Sequence, residues 1–441
     1  MKTVQEIIRA GRDVEDRLGC ALFPDLRLED LGCLSIEDLR RCYHREIESI
    51  ITLHGLLQSG MAPADLSSVV QTISIHGRER PGSRREILGF PVKAIGSNIR
   101  RQDIDWNQFT CEQSGVCREG DIVIARALSS RGSINQLEDQ AGREVRIFEG
   151  DHFMTVMGNR HSGTSEYGEL TDGQMELQPD TEVDLLCHGG ILGHGICIPR
   201  SRAVQTFFKV HVAAILRNGG RNLNLLDLYP AWDKEMLPSA PIIFNCGTSA
   251  EIGKTTSSSS IIRALKRMGK RVGAAKLAGT GRYRDLLSMR DAGADLYFDF
   301  PDVGLPSTYT SPSRSYPAAV TLLNKLNRGK VDVVVAEMGG DIIEANIPSV
   351  LQSPEMMRYA NGIVHSSADI LGILGSLQRY RDFGVQVPVM LTLPKDRNDA
   401  GTRERLQQEH LSAFDVMNMR ECDQVVGALL RCREGESIFP V

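Results

Sequence analysis

The stretch from Pro241 to Thr256, PIIFNCGTSAEIGKTT, constrains the fold of this chain more than any other. Ile242 to Cys246 is a short apolar run of strand type, Gly247 to Lys254 is a turn bounded by glycines, and Thr255 opens a helix-permissive segment ending at Lys270. Strand, turn and helix in that order aim successive backbone N–H groups and a helix N-terminus at one point, which suits a phosphate chain. Lys254 adds a point charge there, and the Thr255 hydroxyl offers a ligand to Mg2+. The glycines permit the backbone angles that the wrap needs. Gly247, Thr248, Ser249, Ala250, Glu251, Ile252, Gly253, Lys254, Thr255 and Thr256 are therefore the expected nucleotide-binding set.

The common phosphate loop has four residues between its glycines, whereas the five residues Thr248 to Ile252 separate Gly247 from Gly253. The run GTSAEIGKTT, with Thr after the first glycine and an acid two before the second, closely resembles the variant loop of dethiobiotin synthetase. Downstream, the apolar runs RVGAAKL, VDVVVAEM, NGIVHSS and VQVPVMLTL alternate with helical segments around 315–328, 367–383 and 396–408. That alternation predicts a mainly parallel sheet covered by helices on both faces, with ligands at the carboxyl ends of its strands.

Two of those strand ends carry chemistry. Glu337 closes VDVVVAEM ahead of Gly339, Gly340 and Asp341, where a carboxylate can hold Mg2+ directly or through water. Lys276 closes RVGAAKL ahead of a small-residue turn, where a cation can neutralise oxygen charge that develops in phosphoryl transfer. The bland readings are a strand-end surface charge and a solvated lysine. The resemblance implies that Glu337 binds the metal, that Lys276 faces the substrate, and that Asp291 stands about where that family has another magnesium-binding aspartate. Asp285 and Asp295 compete for that last role. The resemblance covers roughly residues 240–435. A looser one links the chain to P-loop proteins that include N-acyl-D-glutamate-forming enzymes, which pair an N-terminal domain with a similar GT-x-x-x-x-GK loop.

The remainder is less specific. Residues 1–75 repeat apolar positions at three- and four-residue intervals, including Val4, Ile7, Ile8 and then Leu39, Tyr43, Ile47 and Ile50, with a capping-box-like start at Ser35 and Asp38. They predict a helical N-terminal module. Residues 76–235 hold short β-prone runs, FPVKAIG, GDIVIARAL, HFMTVMGN, EVDLLCHGG and FFKVHVAAIL among them, and predict a β-rich, barrel-like domain. Residues 236–441 form the expected P-loop nucleotide-binding α/β domain. Within the middle region, CHGGILGHGIC lacks the dinucleotide fingerprint and reads as a close-packed barrel turn rather than a ligand loop. The polar loop Gly158 to His161 reads either as substrate-facing or as solvated surface. DFPDVGLPSTYT, rich in turn formers and hydroxyls, fits a closing segment or an irregular connection.

Composition sets the remaining bounds. The 441 residues carry a net charge of -5 with both signs interspersed, which supplies no case for nucleic acid or an anionic membrane. The charged N-terminus and the lack of an apolar run near the roughly 20 residues of a membrane span make a cytoplasmic protein the expectation. Ten scattered cysteines read as reduced thiols; Cys111, Cys117, Cys187, His188, His194 and Cys197 are candidate zinc ligands, without a CxxC pair to support them. No Asn-Lys-x-Asp guanine signature occurs, the nearest run being Leu393-Pro394-Lys395-Asp396, so ATP is expected over GTP. The expected activity is an ATP- and Mg2+-dependent synthetase or ligase with Lys254, Lys276 and Glu337 as its catalytic set. It activates a small carboxylate or carbamate for attack by an amine. An acyltransferase on the same scaffold and a P-loop ATPase switch binding a protein partner are the alternatives. The expected partners are a small-molecule carboxylate or amino-acid substrate and a second copy in a homodimer.

Overall fold

The computed structural model describes residues 3–18, 28, 47, 50–51, 53–55, 58, 85–394 and 398–431. The chain divides into two compact units, residues 1–83 with 328–330, and residues 84–327 with 331–441. In the first unit, α1 (Val4–Leu18) turns Ile7, Ala10 and Val14 inward on one face at three- and four-residue spacing. The capping pair Ser35 and Asp38 lies outside the described residues, as do Lys395 and Asp396.

The second unit opens with β-structure in which side chains alternate between two small cores. Five strands close a ring: β1 (Ile122–Ala127), β2 (His152–Met157), β3 (Glu182–Cys187), β4 (Ile191–Cys197) and β5 (Phe208–Asn218). Each pairs with the next around the circuit β2, β1, β5, β3, β4 and back to β2, the last contact being parallel. Closure removes the unpaired edges that a short sheet would otherwise present. Along β1, Val123 and Ala125 face one core while Ile122 and Ile124 face the other. Phe153 and Phe208 are fully buried, and each such side chain contributes roughly 1.5–3 kcal/mol. The run CHGGILGHGIC is the end of β3, a turn at 188–190 and β4, a barrel turn as its sequence indicates.

The rest of the unit is a seven-stranded sheet in which every pairing is parallel: β6 (Ile242–Gly247), β7 (Val272–Ala278), β8 (Leu296–Asp299), β9 (Val333–Met338), β10 (Ala360–Ser366), β11 (Val389–Thr392) and β12 (Ala413–Phe414). Their spatial order is β8, β7, β9, β6, β10, β11, β12, so β9 stands between the loop-bearing strand β6 and the lysine-bearing strand β7. All residues of β6, β7 and β9 are buried although successive side chains point to opposite faces, so both faces of the sheet's centre are covered. The longer helices are α2 (Lys254–Arg267), α3 (Tyr283–Asp291), α4 (Pro312–Arg328), α5 (Ile370–Asp382), α6 (Asp399–Gln408) and α7 (Met419–Arg431). Helix α2 stops short of Lys270 because Gly269 turns left-handed at φ 73°. Among the described residues no helix is long and apolar enough to cross a membrane.

Buried polar contacts join the β-rich part to the parallel sheet. Arg100 donates to Asp299 at 2.5 Å, with Asp302 3.9 Å away, and stacks its guanidinium over the Tyr283 ring. Glu119 accepts from Arg314 at 2.9 Å and from Thr310 at 2.7 Å. The backbones come close at one point, where a Cβ on Gly189 would stand 2.2 Å from the Gly281 carbonyl oxygen.

Candidate functional site

Helix α2 begins KTTSSSS, residues that favour caps and turns over helix interiors, so its placement rests on packing rather than propensity. Ile261, Ile262 and Leu265 are fully buried. Its buried polar face is satisfied by the sheet: Asn245 of β6 donates to the Lys254 carbonyl at 2.5 Å and to Ser258 Oγ at 2.7 Å, and Ser258 donates to Glu337 Oε2 at 3.0 Å. Gly253, at φ 100°, stands at the N-cap with no side chain to bond the first-turn N–H groups. A helix start left open in this way is an anion site.

Lys254 runs beneath the loop. Its ammonium donates to the Ser249 carbonyl and to the Gly340 carbonyl at 2.8 Å. Burial pulls that ammonium below its ordinary value and neighbouring Lys276 adds to the effect, with Glu337 opposing. Thr255 Oγ1 donates to Glu337 Oε1 at 3.2 Å. A threonine hydroxyl and a strand-end carboxylate within that distance, beside a helix start open to phosphate, fit a Mg2+ ion that takes its other ligands from phosphate oxygens and water. Burial pushes the Glu337 carboxyl above its ordinary value, against the pull of Lys276 and Lys254.

Across β9 from the loop, Lys276 donates to Asp285 Oδ2 at 2.6 Å and to the Thr280 carbonyl at 3.2 Å. Burial works to lower this ammonium, yet Asp285 and Glu337 outweigh it and hold Lys276 above its ordinary value. Asp285 opposes its own burial through Lys276 and lies below the usual carboxylate range.

These groups open into one cavity of about 370 Å³. Its loop wall holds Ala250, Glu251, Gly253 to Thr256, Glu337, Gly339 and Gly340; its floor holds Lys276, Gly279 to Arg282, Arg284 and Asp285. Of the expected nucleotide set, Gly247, Thr248, Ser249 and Ile252 support the loop without lining the cavity. Asp291 sits elsewhere: as the last residue of α3, six residues beyond Asp285, it is exposed and paired with Arg290 at 3.1 Å. Asp285, in the first turn of the same helix, is the aspartate that lines the cavity. Asp295 pairs with Lys266 at 2.7 Å, outside it.

The third wall comes from the β-rich part: Arg160, Ser162, Cys187, His188 and Gly189. Arg160 belongs to the polar loop after β2 and donates to Glu166 at 3.2 Å and to the Leu186 carbonyl. His188 stands in the turn between β3 and β4, where burial, with Arg282 adding to it, pulls its imidazole down to about 4. Its Nδ1 is buried with no hydrogen-bond partner. The segment DFPDVGLPSTYT is buried for most of its length and brings Tyr309 to the cavity rim. Arg160 comes from the polar loop that the sequence leaves between substrate-facing and solvated, His188 enters the sequence reading only as a candidate zinc ligand, Tyr309 lies in the segment that reads as closing or irregular, and Arg282 is not singled out at all. Cys111, Cys117, Cys187 and Cys197 are free thiols, and among the described residues no three His, Cys, Asp or Glu side chains gather to hold a metal by themselves.

No family model matches the chain, and no curated protein matches it. Among solved structures, cobyrinic acid a,c-diamide synthase from Mycobacterium smegmatis, with bound ADP and magnesium, is 15% identical over 46% of this chain and 98% of its own, at a TM-score of 0.33. The signal recognition particle receptor FtsY from Elizabethkingia anophelis is 16% identical over 46% of this chain and 69% of its own, at 0.28. A plasmid partition protein from Borrelia burgdorferi is 11% identical over 44% of this chain and 99% of its own, at 0.32. None of these three is a dethiobiotin synthetase, and likenesses this distant leave the chemistry to be argued from the cavity.

Proposed function

We propose that the chain is an ATP- and Mg2+-dependent synthetase that phosphorylates a small carboxylate or carbamate on oxygen and then joins it to an amine. The observation that supports this reading is the position of Lys276. It is buried, ion-paired and turned into the same cavity as the phosphate loop, which continues past the loop to a wall bearing Arg160 and His188. That third wall leaves room beside the phosphate loop for a second small substrate.

In this reading the N–H groups at the start of α2 and the Lys254 ammonium hold the β- and γ-phosphates, and Mg2+ held by Thr255 and Glu337 supplies neutralisation of phosphate charge. Lys276 draws the acceptor carboxylate towards the γ-phosphorus and meets the charge that spreads over the transferring oxygens. The acceptor oxygen forms a bond to phosphorus as the bridging oxygen leaves on ADP. The amine then forms a C–N bond, phosphate departs with the C–O electron pair, and the amine loses a proton to solvent. The residues gain rate mostly by positioning.

The test is ADP release with a panel of small carboxylates and amines, under ATP or GTP, in wild type and Lys276→Ala. The expected result is ATP-dependent stimulation by a carboxylate, with turnover lowered about 10²–10³-fold in the variant and ATP affinity nearly unchanged. Stimulation only by a protein partner, untouched by Lys276→Ala, would replace the synthetase with a switch. Acyl transfer without ADP release would favour the acyltransferase.

A further inference from the structure

Glu138 lies at the end of the short strand Gln136–Glu138 in the β-rich part and is fully buried. Its Oε2 accepts from the Tyr283 backbone N–H at 2.6 Å and from Ser97 Oγ at 2.5 Å, and its Oε1 accepts from the Arg284 N–H at 2.9 Å. Tyr283 and Arg284 are the first two residues of α3, whose own N-cap residue, Arg282, makes no side-chain cap. The cap therefore arrives from 145 residues earlier in the chain, with a negative charge at the end of the helix that favours one. The main chain of Glu138 is engaged too: its N–H donates to the His188 carbonyl at 2.6 Å, and its carbonyl accepts from the Ser97 N–H at 2.8 Å. One residue thus ties the turn that forms the third wall of the cavity to the helix that carries Asp285. Asp285 follows Arg284 directly and holds Lys276 at 2.6 Å.

We propose that Glu138 is a positioning residue: by capping α3 from the β-rich part, it sets Asp285 against Lys276 and so fixes where the Lys276 ammonium sits in the cavity. The inference rests on the phosphoryl-transfer reading only for its kinetic consequence. A purely structural cap would affect folding stability and α3 order without altering Lys276. A positioning role alters Lys276 itself, because an ammonium that Asp285 no longer holds at 2.6 Å is free to turn into the cavity and meet a reagent there.

The experiment compares wild type with Glu138→Gln, whose amide cannot accept from all three donors, in the full chain. Backbone hydrogen exchange at residues 283–285 is expected to rise about tenfold or more while β6 is unaffected. Acylation of Lys276 by limiting acetic anhydride, read by mass spectrometry, is expected to rise severalfold. With a stimulating carboxylate, kcat should fall about tenfold while the KM for ATP stays within about twofold. Glu138→Asp, which keeps the charge but withdraws the carboxylate by one methylene, gives the same comparison if the glutamine variant does not fold. Unchanged exchange at α3 overturns the inference, and so does a looser α3 with wild-type Lys276 labelling. If no carboxylate stimulates the wild type, the synthetase reading fails alone, because exchange and labelling still decide the role of Glu138.

Discussion

Lys254 and Lys276 are two buried ammonium groups in one cavity with opposite electrostatic bias. Lys254 is held below its ordinary value, so its charge costs the fold as it stands, a cost that phosphate would offset in the proposed site. Lys254→Ala should therefore weaken ATP·Mg2+ binding by about 10–100-fold, the loss of a charge-assisted contact, while the melting temperature hardly falls. Titration calorimetry and thermal denaturation check the two halves. Lys276, held above its ordinary 10.5, and Asp285, held below its ordinary 3.8, stabilise the fold between those limits; the contribution is lost as pH rises through the folded lysine value or falls through the folded aspartate value. Glu337 runs the other way. Its folded value lies above the ordinary 4.5, so it keeps a proton to higher pH than a free glutamate, and a metal ion must displace that proton. Mg2+ affinity in the presence of ATP should then weaken as pH falls, by up to about tenfold per unit once below the folded value. Glu337→Gln titrated alongside separates this from protonation of the nucleotide. An equal pH dependence in both proteins would remove Glu337 from the metal site.

At the scale of elements, what could be read from sequence was what repeats with a period or a fixed spacing. The apolar runs ending at Lys276 and Glu337 are strands whose residues are buried on both faces, so they show as continuous hydrophobic stretches. Edge strand β8 and helix α3 were not distinguished, since LYFD is short and RYRDLLSMRD is interrupted by charges. Their placement depends on partners far away in sequence: Arg100 for Asp299 and Glu138 for α3. The third wall escaped for the same reason, because whether a barrel turn also faces a ligand is decided by what packs opposite it. That turn reaches the parallel-sheet part through Gly189, and there a methyl group would meet the Gly281 carbonyl oxygen at 2.2 Å. Gly189→Ala should destabilise the chain by roughly 1–3 kcal/mol, read by urea unfolding, and should lower carboxylate-stimulated turnover more than ATP affinity. A wild-type unfolding midpoint would show that the two backbones are not held at this separation.

For the molecule as a whole, the junction around Arg100 buries three charged side chains between the β-rich part and the parallel sheet. Two carboxylates that are almost completely buried, Asp299 and Asp302, share one guanidinium, and burial together with Asp302 pushes Asp299 up to about 7. The folded value lies above the ordinary 3.8, so the folded state holds a proton that the unfolded state has released, and stability from this group falls as pH rises from 3.8 to about 7. Arg100→Met removes the guanidinium that the two acids share and should cost about 3–5 kcal/mol, with a larger deficit at pH 8 than at pH 5 in denaturant titrations. An equal deficit at both values would mean that the acids are paired elsewhere. The strand order bears on how the protein is made. The strand that carries Lys276 and the strand that leads into the loop at 247–254 follow one another in the chain but are separated in the sheet by β9, which carries Glu337. During synthesis at the ribosome, both lysines emerge well before the strand that must slot between them. Until residues 333–338 leave the exit tunnel, the growing chain has the parts of the proposed site without their geometry, so a nucleotide bound there would stabilise only a chain already synthesised past β9.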